Sequence, residues 1–215
     1  MNNLLFLVVL FCCFCGISES FAQKKILNRS SLQLSTGVSF CHQYQAPVII
    51  SSFIEGGFPL EQKPSFSLNA NLSYFFKLSE HNSLQTGIGI GGYRYREKGM
   101  QGNGDATFSP YTGMAGWVYS DFSAGFRRVF TPEKKFSYFL EFNAMYELAV
   151  QDRSPINGGF ALQQKVGSTI ASSGNSRFIV AAFFKSGITR YNDLRYGNAY
   201  LPFAYGLQFG IIGRR

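Results

Sequence analysis

The last segment of the chain constrains the fold more than any other stretch. Residues Tyr200 to Ile212 read YLPFAYGLQFGII. Because successive side chains of a β-strand point to opposite faces, this segment would have one long aromatic face and one small polar face. That pattern is typical of a barrel strand with lipid on one side and a packed interior on the other. The outward set would be Leu201, Phe203, Tyr205, Leu207, Phe209 and Ile211, and the inward set Ala204, Gly206, Gln208 and Gly210.

Seven earlier segments alternate in the same way, and the sixth alternates least cleanly because Gln164 and Ser168 interrupt its apolar face. We therefore predict an all-β fold, an eight-stranded antiparallel up-and-down transmembrane β-barrel. A β-sandwich is the alternative, but only 15% of the residues are charged, against about 25% in typical soluble domains. The seven segments are Ser31–Cys41, Ser65–Leu78, Leu84–Arg96, Met114–Phe130, Phe136–Val150, Gly159–Ala171 and Arg177–Thr189.

The connections between these segments alternate in length. Short polar turns are predicted at 79–82, 131–135 and 172–175, and longer loops at 42–64, 97–112, 152–157 and 191–198. Outer-membrane barrels have short periplasmic turns and longer outside loops, and an even strand number returns both termini to the periplasm. The sequence thus predicts that the long loops face the outside.

An N-terminal apolar run predicts secretion. Leu4 to Gly16 is too short to cross a bilayer as a helix, which needs about 20 residues. Ser20-Phe21-Ala22 then offers small residues where a signal peptidase reads, which predicts cleavage before Gln23. We therefore expect a signal peptide over residues 1–22 and a barrel domain over residues 23–215. A lipoprotein is the alternative, but the small residues that a lipobox requires precede none of Cys12, Cys13 and Cys15.

Cleavage leaves Cys41 as the only cysteine, so neither an intramolecular disulfide nor a C-x-x-C metal motif is expected. No cofactor is predicted. The formal net charge of +8 becomes +9 when residues 1–22, which include Glu19, are removed. This dispersed positive charge suggests contact with anionic lipid headgroups. Nucleic acid is not an expected partner, because the sequence has no basic run and no RNA-binding motif.

Together the signal, the eight alternating segments and the terminal strand resemble the small outer-membrane β-barrel family, of the OmpA/OmpX type and the related PorT-like group. The resemblance covers essentially all of the mature chain. It implies an outer-membrane location and insertion by the barrel-assembly machinery. The family's assembly signal is a glycine followed at fixed spacing by two outward hydrophobic residues, which Gly206, Phe209 and Ile211 match. The chain departs from the family in lacking a terminal aromatic residue.

Five charged residues fall on inward faces. An eight-stranded barrel is just wide enough for side chains, and buried charges must be paired, so we predict a buried charge network in the lumen. Bulky inward aromatic residues would plug any path, which argues against general porin activity and leaves a narrow small-solute channel as an alternative. The charged set is Asp121, Arg127, Glu141, Glu147 and Lys185, and the aromatic set is Tyr93, Tyr95, Trp117 and Tyr119.

Arg94, Arg96 and Lys98 cluster at the outer end of the third predicted strand. They could simply form a solvated rim that marks the membrane boundary. They could also contact the phosphates of lipopolysaccharide, because arginine binds phosphate through paired hydrogen bonds. This contact with lipopolysaccharide is a hypothesis.

The function expected from these features is non-enzymatic. The chain would be a monomeric outer-membrane scaffold with a structural, interaction or adhesion role, displaying its outer loops. A lipid A-modifying enzyme is the alternative and would depend on His42, with Ser51 and Ser52 nearby. His81 is predicted in a periplasmic turn, on the wrong side for that chemistry. The sequence contains no Gly-x-Ser-x-Gly, Walker or zinc motif.

Overall fold

In a computed structural model the alternating segments form strands that pair antiparallel with their chain neighbours. The structure describes residues 30–45, 58–102, 108–132, 134–150, 158–172, 176–189, 191–192 and 199–214. Among these residues, no helix is long and apolar enough to cross a lipid bilayer. The strands are β1 Ser30–Gln45, β2 Phe58–Lys77, β3 Asn82–Gly102, β4 Phe108–Val129, β5 Phe136–Ala149, β6 Gly159–Ala171, β7 Ser176–Gly187, β8 Tyr191–Asn192 and β9 Ala199–Arg214.

The sheet closes because β9 pairs with both β7 and β1. The two-residue strand β8 pairs only with the start of β9, so the barrel wall consists of β1 to β7 and β9. The prediction of an eight-stranded up-and-down barrel is therefore confirmed. The sandwich alternative is wrong, because the first and last strands of the wall pair with each other and complete the hydrogen bonding of the sheet.

The stagger of the wall follows from its register. Stepping through directly paired residues from Leu32 leads once around the barrel to His42, ten positions further along β1. A stagger of this size tilts the strands by about 40° and leaves an interior that side chains can fill. The intermediate steps are Tyr74, Thr86, Ala124, Ala144, Leu162, Ser186 and Phe203.

The two faces of the wall have opposite character. Large apolar side chains are exposed on the outer face of every barrel strand, while polar and aromatic side chains are buried inside. A continuous apolar outer face would be unfavourable in water, and it suits the hydrocarbon of a membrane. The predicted register is confirmed in all eight strands. Exposed outer residues include Leu34, Leu68, Ile88, Phe122, Tyr138, Val166, Phe184 and Phe209.

The turn at 78–81, the end of β4 with the start of β5, and the end of β6 with the start of β7 lie at the same end as Ser30 and Arg214, and we call this the turn end. The opposite end is called the loop end. The predicted signal peptide and the predicted loop segments 46–57, 103–107, 152–157 and 193–198 lie outside the described residues. The sixth predicted strand matches β6 at both bounds.

Toward the loop end, β1 to β4 are each longer than predicted, and β1 continues from Cys41 to Gln45. β3 and β4 continue through most of the predicted loop 97–112, pairing as far as Gly102 with Phe108. β2 starts at Phe58 rather than at Ser65, so the predicted loop at 42–64 was too long. The predicted loop at 191–198 likewise begins with the short strand β8. These predictions were wrong because backbone pairing continues where side-chain alternation fails, with proline and glycine placed at bulges and edges.

Candidate functional site

The lumen holds all five charged residues that the alternation sends inward. Asp121, Arg127, Glu141, Glu147 and Lys185 are each 3% exposed or less. They lie at different heights, because β5 carries Glu141 nearer the turn end and Glu147 nearer the loop end. The contacts therefore divide into two clusters along the barrel axis.

The turn-side cluster consists of Arg127, Glu141 and Lys165. Arg127 Nε donates to Glu141 Oε2 at 2.7 Å, Arg127 Nη2 donates to the same oxygen, and Lys165 Nζ lies 2.9 Å from Oε1. The three residues face one another directly across β4, β5 and β6, so they form a row of positive, negative and positive charge. Opposite charges paired across strands stabilise a sheet. Arg127 Nη2 also donates to Gln33 Oε1 at 2.7 Å, which ties β1 to the cluster.

Further groups complete the turn-side cluster. Asn143 Nδ2 donates to Glu141 Oε1 at 2.7 Å. The guanidinium carbon of Arg127 lies 4.0 Å from the ring centre of Phe75 and 4.4 Å from that of Phe139, within cation–π range. A buried carboxylate with several donors and two cations is the arrangement that offsets the loss of water.

The loop-side cluster consists of Tyr93, Tyr119, Glu147 and Lys185. Lys185 Nζ lies 2.6 Å from Glu147 Oε1 and also donates to the hydroxyl of Tyr119. The Tyr93 hydroxyl donates to Glu147 Oε2 at 2.9 Å. Lys185 Nζ lies 4.0 Å and 4.5 Å from the ring centres of Tyr119 and Tyr93. The ammonium group of Lys185 thus contacts a carboxylate, a phenol hydroxyl and two aromatic rings.

Aromatic rings occupy the lumen beyond the loop-side cluster. Trp117 packs on Tyr93 with 5.0 Å between ring centres, and Tyr95 meets Trp117 edge to face. These three residues, together with Tyr119 and Phe183, belong to one buried cluster. The rings lie where a solute would have to pass between the loop end and the charged centre.

Two lumen residues differ from what the sequence predicted. Lys165 was not singled out, although the alternation that exposes Leu162 and Val166 also turns Lys165 inward. Asp121 was singled out, yet it joins neither cluster directly. Its Oδ1 atom is buried with no hydrogen-bond partner among the described residues.

Arg94, Arg96 and Lys98 are exposed on the outer face of β3. Toward the turn end the same face carries the exposed apolar residues Ile88 and Ile90. The outer face of this strand therefore changes from apolar to cationic within a few residues, which is the change expected where a strand leaves the hydrocarbon layer.

A bulge adds Lys63 to this group. Between the pairs Pro64–Tyr95 and Asn69–Gly91, β2 has one residue more than β3. The extra residue reverses the alternation, so Lys63 lies directly opposite Arg96 and is exposed. We call Lys63, Arg94, Arg96 and Lys98 the loop-end cationic patch.

The residues of the predicted assembly signal lie on β9. Phe209 and Ile211 are exposed on the outer face, and Gly206 lies on the inner face. A Cβ atom on Gly206 would lie 2.0 Å from the carbonyl oxygen of Val38, so β1 packs too closely here for a side chain. The glycine therefore has a packing role in the closing pair of strands.

The two histidines lie at opposite ends of the barrel. His42 stacks on Phe203 with 5.0 Å between ring centres. His81 lies in the turn before β3, with Nδ1 2.8 Å from the carbonyl oxygen of Val129. Ser51 and Ser52 lie outside the described residues. Over the described ranges, no three His, Cys, Asp or Glu side chains gather in a way that could hold a metal ion.

A closed wall with an apolar outer face and a packed polar interior is the architecture of outer-membrane β-barrel proteins. The chain is thus a transmembrane β-barrel by fold. Neisserial surface protein A is similar in structure, with a TM-score of 0.52 and 8% identity over 86% of this chain and 97% of that chain. OprG from Pseudomonas aeruginosa gives a TM-score of 0.51 and 8% identity over the same shares. At this identity the likeness concerns the fold alone. No protein-family model and no curated protein matches the chain.

Proposed function

We propose that this chain is an integral outer-membrane protein that acts without catalysis, as a structural or interaction scaffold presenting its loop end. The observation that carries the proposal is the contrast between lumen and wall. Ion pairs and stacked rings occupy the lumen, whereas the outer wall is available for contact. A filled interior favours a role for the surface over transport, and the chain works as a monomer because the barrel is complete in one chain.

The partner we propose for the loop-end cationic patch is the phosphorylated headgroup of lipopolysaccharide. Lys63 and Arg96 lie directly opposite each other on β2 and β3, so the two strands bring positive charges together at one height of the wall. Arginine side chains bind phosphate through two parallel hydrogen bonds. The patch lies just beyond the apolar band, at the height of a lipid headgroup.

The route to the membrane is part of the proposal. Residues 1–22 act as a cleaved signal peptide, and the barrel-assembly machinery recognises Gly206, Phe209 and Ile211 on the last strand. Two adjacent outward hydrophobic positions on an exposed strand face support this role. Finer membership of the OmpA/OmpX or PorT-like group is likewise proposed, on the strength of the signal and the strand pattern.

The location is tested by gel migration of the chain from a detergent-extracted outer-membrane fraction. We expect a folded band that shifts on boiling, with an N-terminus at Gln23. Single-channel recording in planar bilayers accompanies it, and we expect no defined conductance because the rings block the lumen. A soluble periplasmic protein with no shift would contradict the location, and a reproducible conductance step would favour the small-solute channel.

The headgroup contact is tested by neutralising three cations at once, with Arg94, Arg96 and Lys98 each changed to Gln. We expect at least a several-fold loss of lipopolysaccharide co-purification, and a wild-type level of binding to dephosphorylated lipid A. The matched control changes Arg128, Lys134 and Lys135 to Gln, which removes the same charge at the turn end. Equal loss in both variants would mean a nonspecific charge effect and would remove the proposed site.

Absence of catalysis is tested on the lipid itself. Lipid A is extracted from cells that express the chain and from cells that express the His42→Ala variant, and the two are compared by mass spectrometry. We expect identical lipid A, since His42 stacks on Phe203 in the wall. A modification that disappears with His42 would establish the enzyme instead.

A further inference from the structure

A small cavity of about 10 Å³ lies in the lumen between the two charge clusters. Its lining includes Asp121, Lys185, Asn69, Asn71 and Gln163. A space of this size holds about one water molecule, and a buried water needs two to four polar partners. The lining is polar enough to supply them.

In this lining, Asp121 has a side-chain oxygen that lacks a hydrogen-bond partner among the described residues. Its side chain is 3% exposed, and Oδ1 is buried with no hydrogen-bond donor among the described residues. Asp121 also lies directly opposite Glu147 in the β4–β5 ladder, which sets two carboxylates side by side. Burying a carboxylate oxygen without a hydrogen-bond donor is unfavourable, so we expect a donor to bind at this oxygen.

The side-chain oxygen of Asn71 lies near Asp121, over the backbone of Gly89. The two cross-strand neighbours of Gly89 are Asn71 and Asp121. A Cβ atom on Gly89 would lie 2.2 Å from Asn71 Oδ1 and 2.7 Å from Asp121 Oδ2. Two oxygen atoms, Asn71 Oδ1 and Asp121 Oδ2, therefore converge over the bare backbone of Gly89.

Lys185 is the donor on the opposite side of the cavity. Its ammonium group has three N–H bonds, and Glu147 and Tyr119 accept two of them. Because Lys185 also lines the cavity, its third N–H can donate to a small molecule that lies in the space. The positive charge of Lys185 makes a metal cation a poor occupant.

We propose that the cavity binds one water molecule that joins Lys185 to Asp121. The water accepts a hydrogen bond from Lys185 Nζ and donates one to Asp121 Oδ1 and one to Asn71 Oδ1. Three bonds are typical of a buried water, and a bridging water is nearly as favourable as a direct bond. Lys185 is then the counter-ion of both Glu147 and Asp121, which links Asp121 to the loop-side cluster.

The direct test is a high-resolution crystal structure of the full chain in detergent. We expect one water at about 2.8 Å from Asp121 Oδ1, the ordinary hydrogen-bond distance. Crystals soaked in thallium salt distinguish a monovalent cation by its anomalous signal. A thallium peak in the cavity, or a dry cavity in which Asp121 bonds directly to Asn71, would overturn the proposal.

A solution test uses the exchange of magnetisation between long-lived water and the inward α-proton of Gly89. We expect the signal in the wild-type chain and its loss in Asp121→Leu. Ala204→Val provides a second route, because Ala204 lines the cavity and the added methyl groups fill it. Asp121→Asn is the control that retains a polar side chain and keeps the signal. Persistence of the signal in both Asp121→Leu and Ala204→Val would refute the site.

Discussion

The two charge clusters of the lumen neutralise the same kind of residue, a buried glutamate on β5, by different means. The strand neighbours of Glu141 are Arg127 and Lys165, so the sheet register alone brings two cations to it. The strand neighbours of Glu147 are Asp121 and Gly159, neither of which is a cation. Its partner Lys185 belongs to β7, two strands away, and contacts it through the lumen.

This difference separates ion pairs formed between neighbouring residues of the ladder from an ion pair formed across the curved lumen. The turn-side cluster needs only three adjacent strands in the correct register. The loop-side cluster forms only when the sheet curves far enough for β7 to face β5. We therefore expect the two clusters to respond differently to substitution.

The largest expected effect is that of Glu141→Ala. The substitution leaves two buried cations without their carboxylate, and removal of one member of a buried pair costs about 4–5 kcal/mol in the free energy of unfolding. Urea unfolding in lipid vesicles, followed by the fluorescence of Trp117, measures the change. Glu80→Ala, in an exposed turn, is the control with no expected change. A loss below about 1 kcal/mol would contradict the role of the turn-side cluster.

Lys185→Met should have the next largest effect, about 3 kcal/mol of destabilisation by the same assay. The loss is smaller because the Tyr93 hydroxyl still donates to Glu147. The double variant Lys185→Met with Glu147→Gln should recover most of the loss, since it removes the uncompensated charge. Lys135→Met is the exposed control. If the loss of unfolding free energy in the double variant equals the sum of the losses in the two single variants, the two residues are not coupled.

Tyr93→Phe sharpens the comparison within the loop-side cluster. It deletes one hydroxyl donor and keeps the ring, so we expect a loss of about 1–2 kcal/mol. Tyr138→Phe, on the outer face, makes the same chemical change where the side chain is exposed and should be neutral. Equal effects of the two substitutions would mean that the bond to Glu147 contributes nothing measurable.

The smallest effect is expected for the triple change of Arg94, Arg96 and Lys98 to Gln. Exposed charges contribute little, so the free energy of unfolding should stay within about 0.5 kcal/mol. Lipopolysaccharide binding, by contrast, should fall and should weaken further at high salt. A decrease of more than about 1 kcal/mol in the free energy of unfolding would show that these side chains stabilise the barrel itself.

Much of the fold follows from side-chain alternation. The outer faces of all eight wall strands were predicted, including that of β6, where Gln164 and Ser168 break the apolar pattern. The strand ends were predicted less well. Proline and glycine residues near Pro64 and Gly102 mimic a loop in sequence, whereas the backbone there continues to pair. The alternation of side chains indicates which face of the strand each one lies on, but it does not indicate where backbone hydrogen bonds between strands end.

The sequence by itself determined which charges enter the lumen, because a strand has a period of two and a slip of one residue would reverse every face. Tertiary structure alone decided which of them meet. Lys185 contacts Glu147 because the wall curves around the lumen, and Lys63 joins the loop-end cationic patch because a bulge shifts the alternation of β2. Closure and bulges depend on the pairing of the whole wall, and no single strand contains that information.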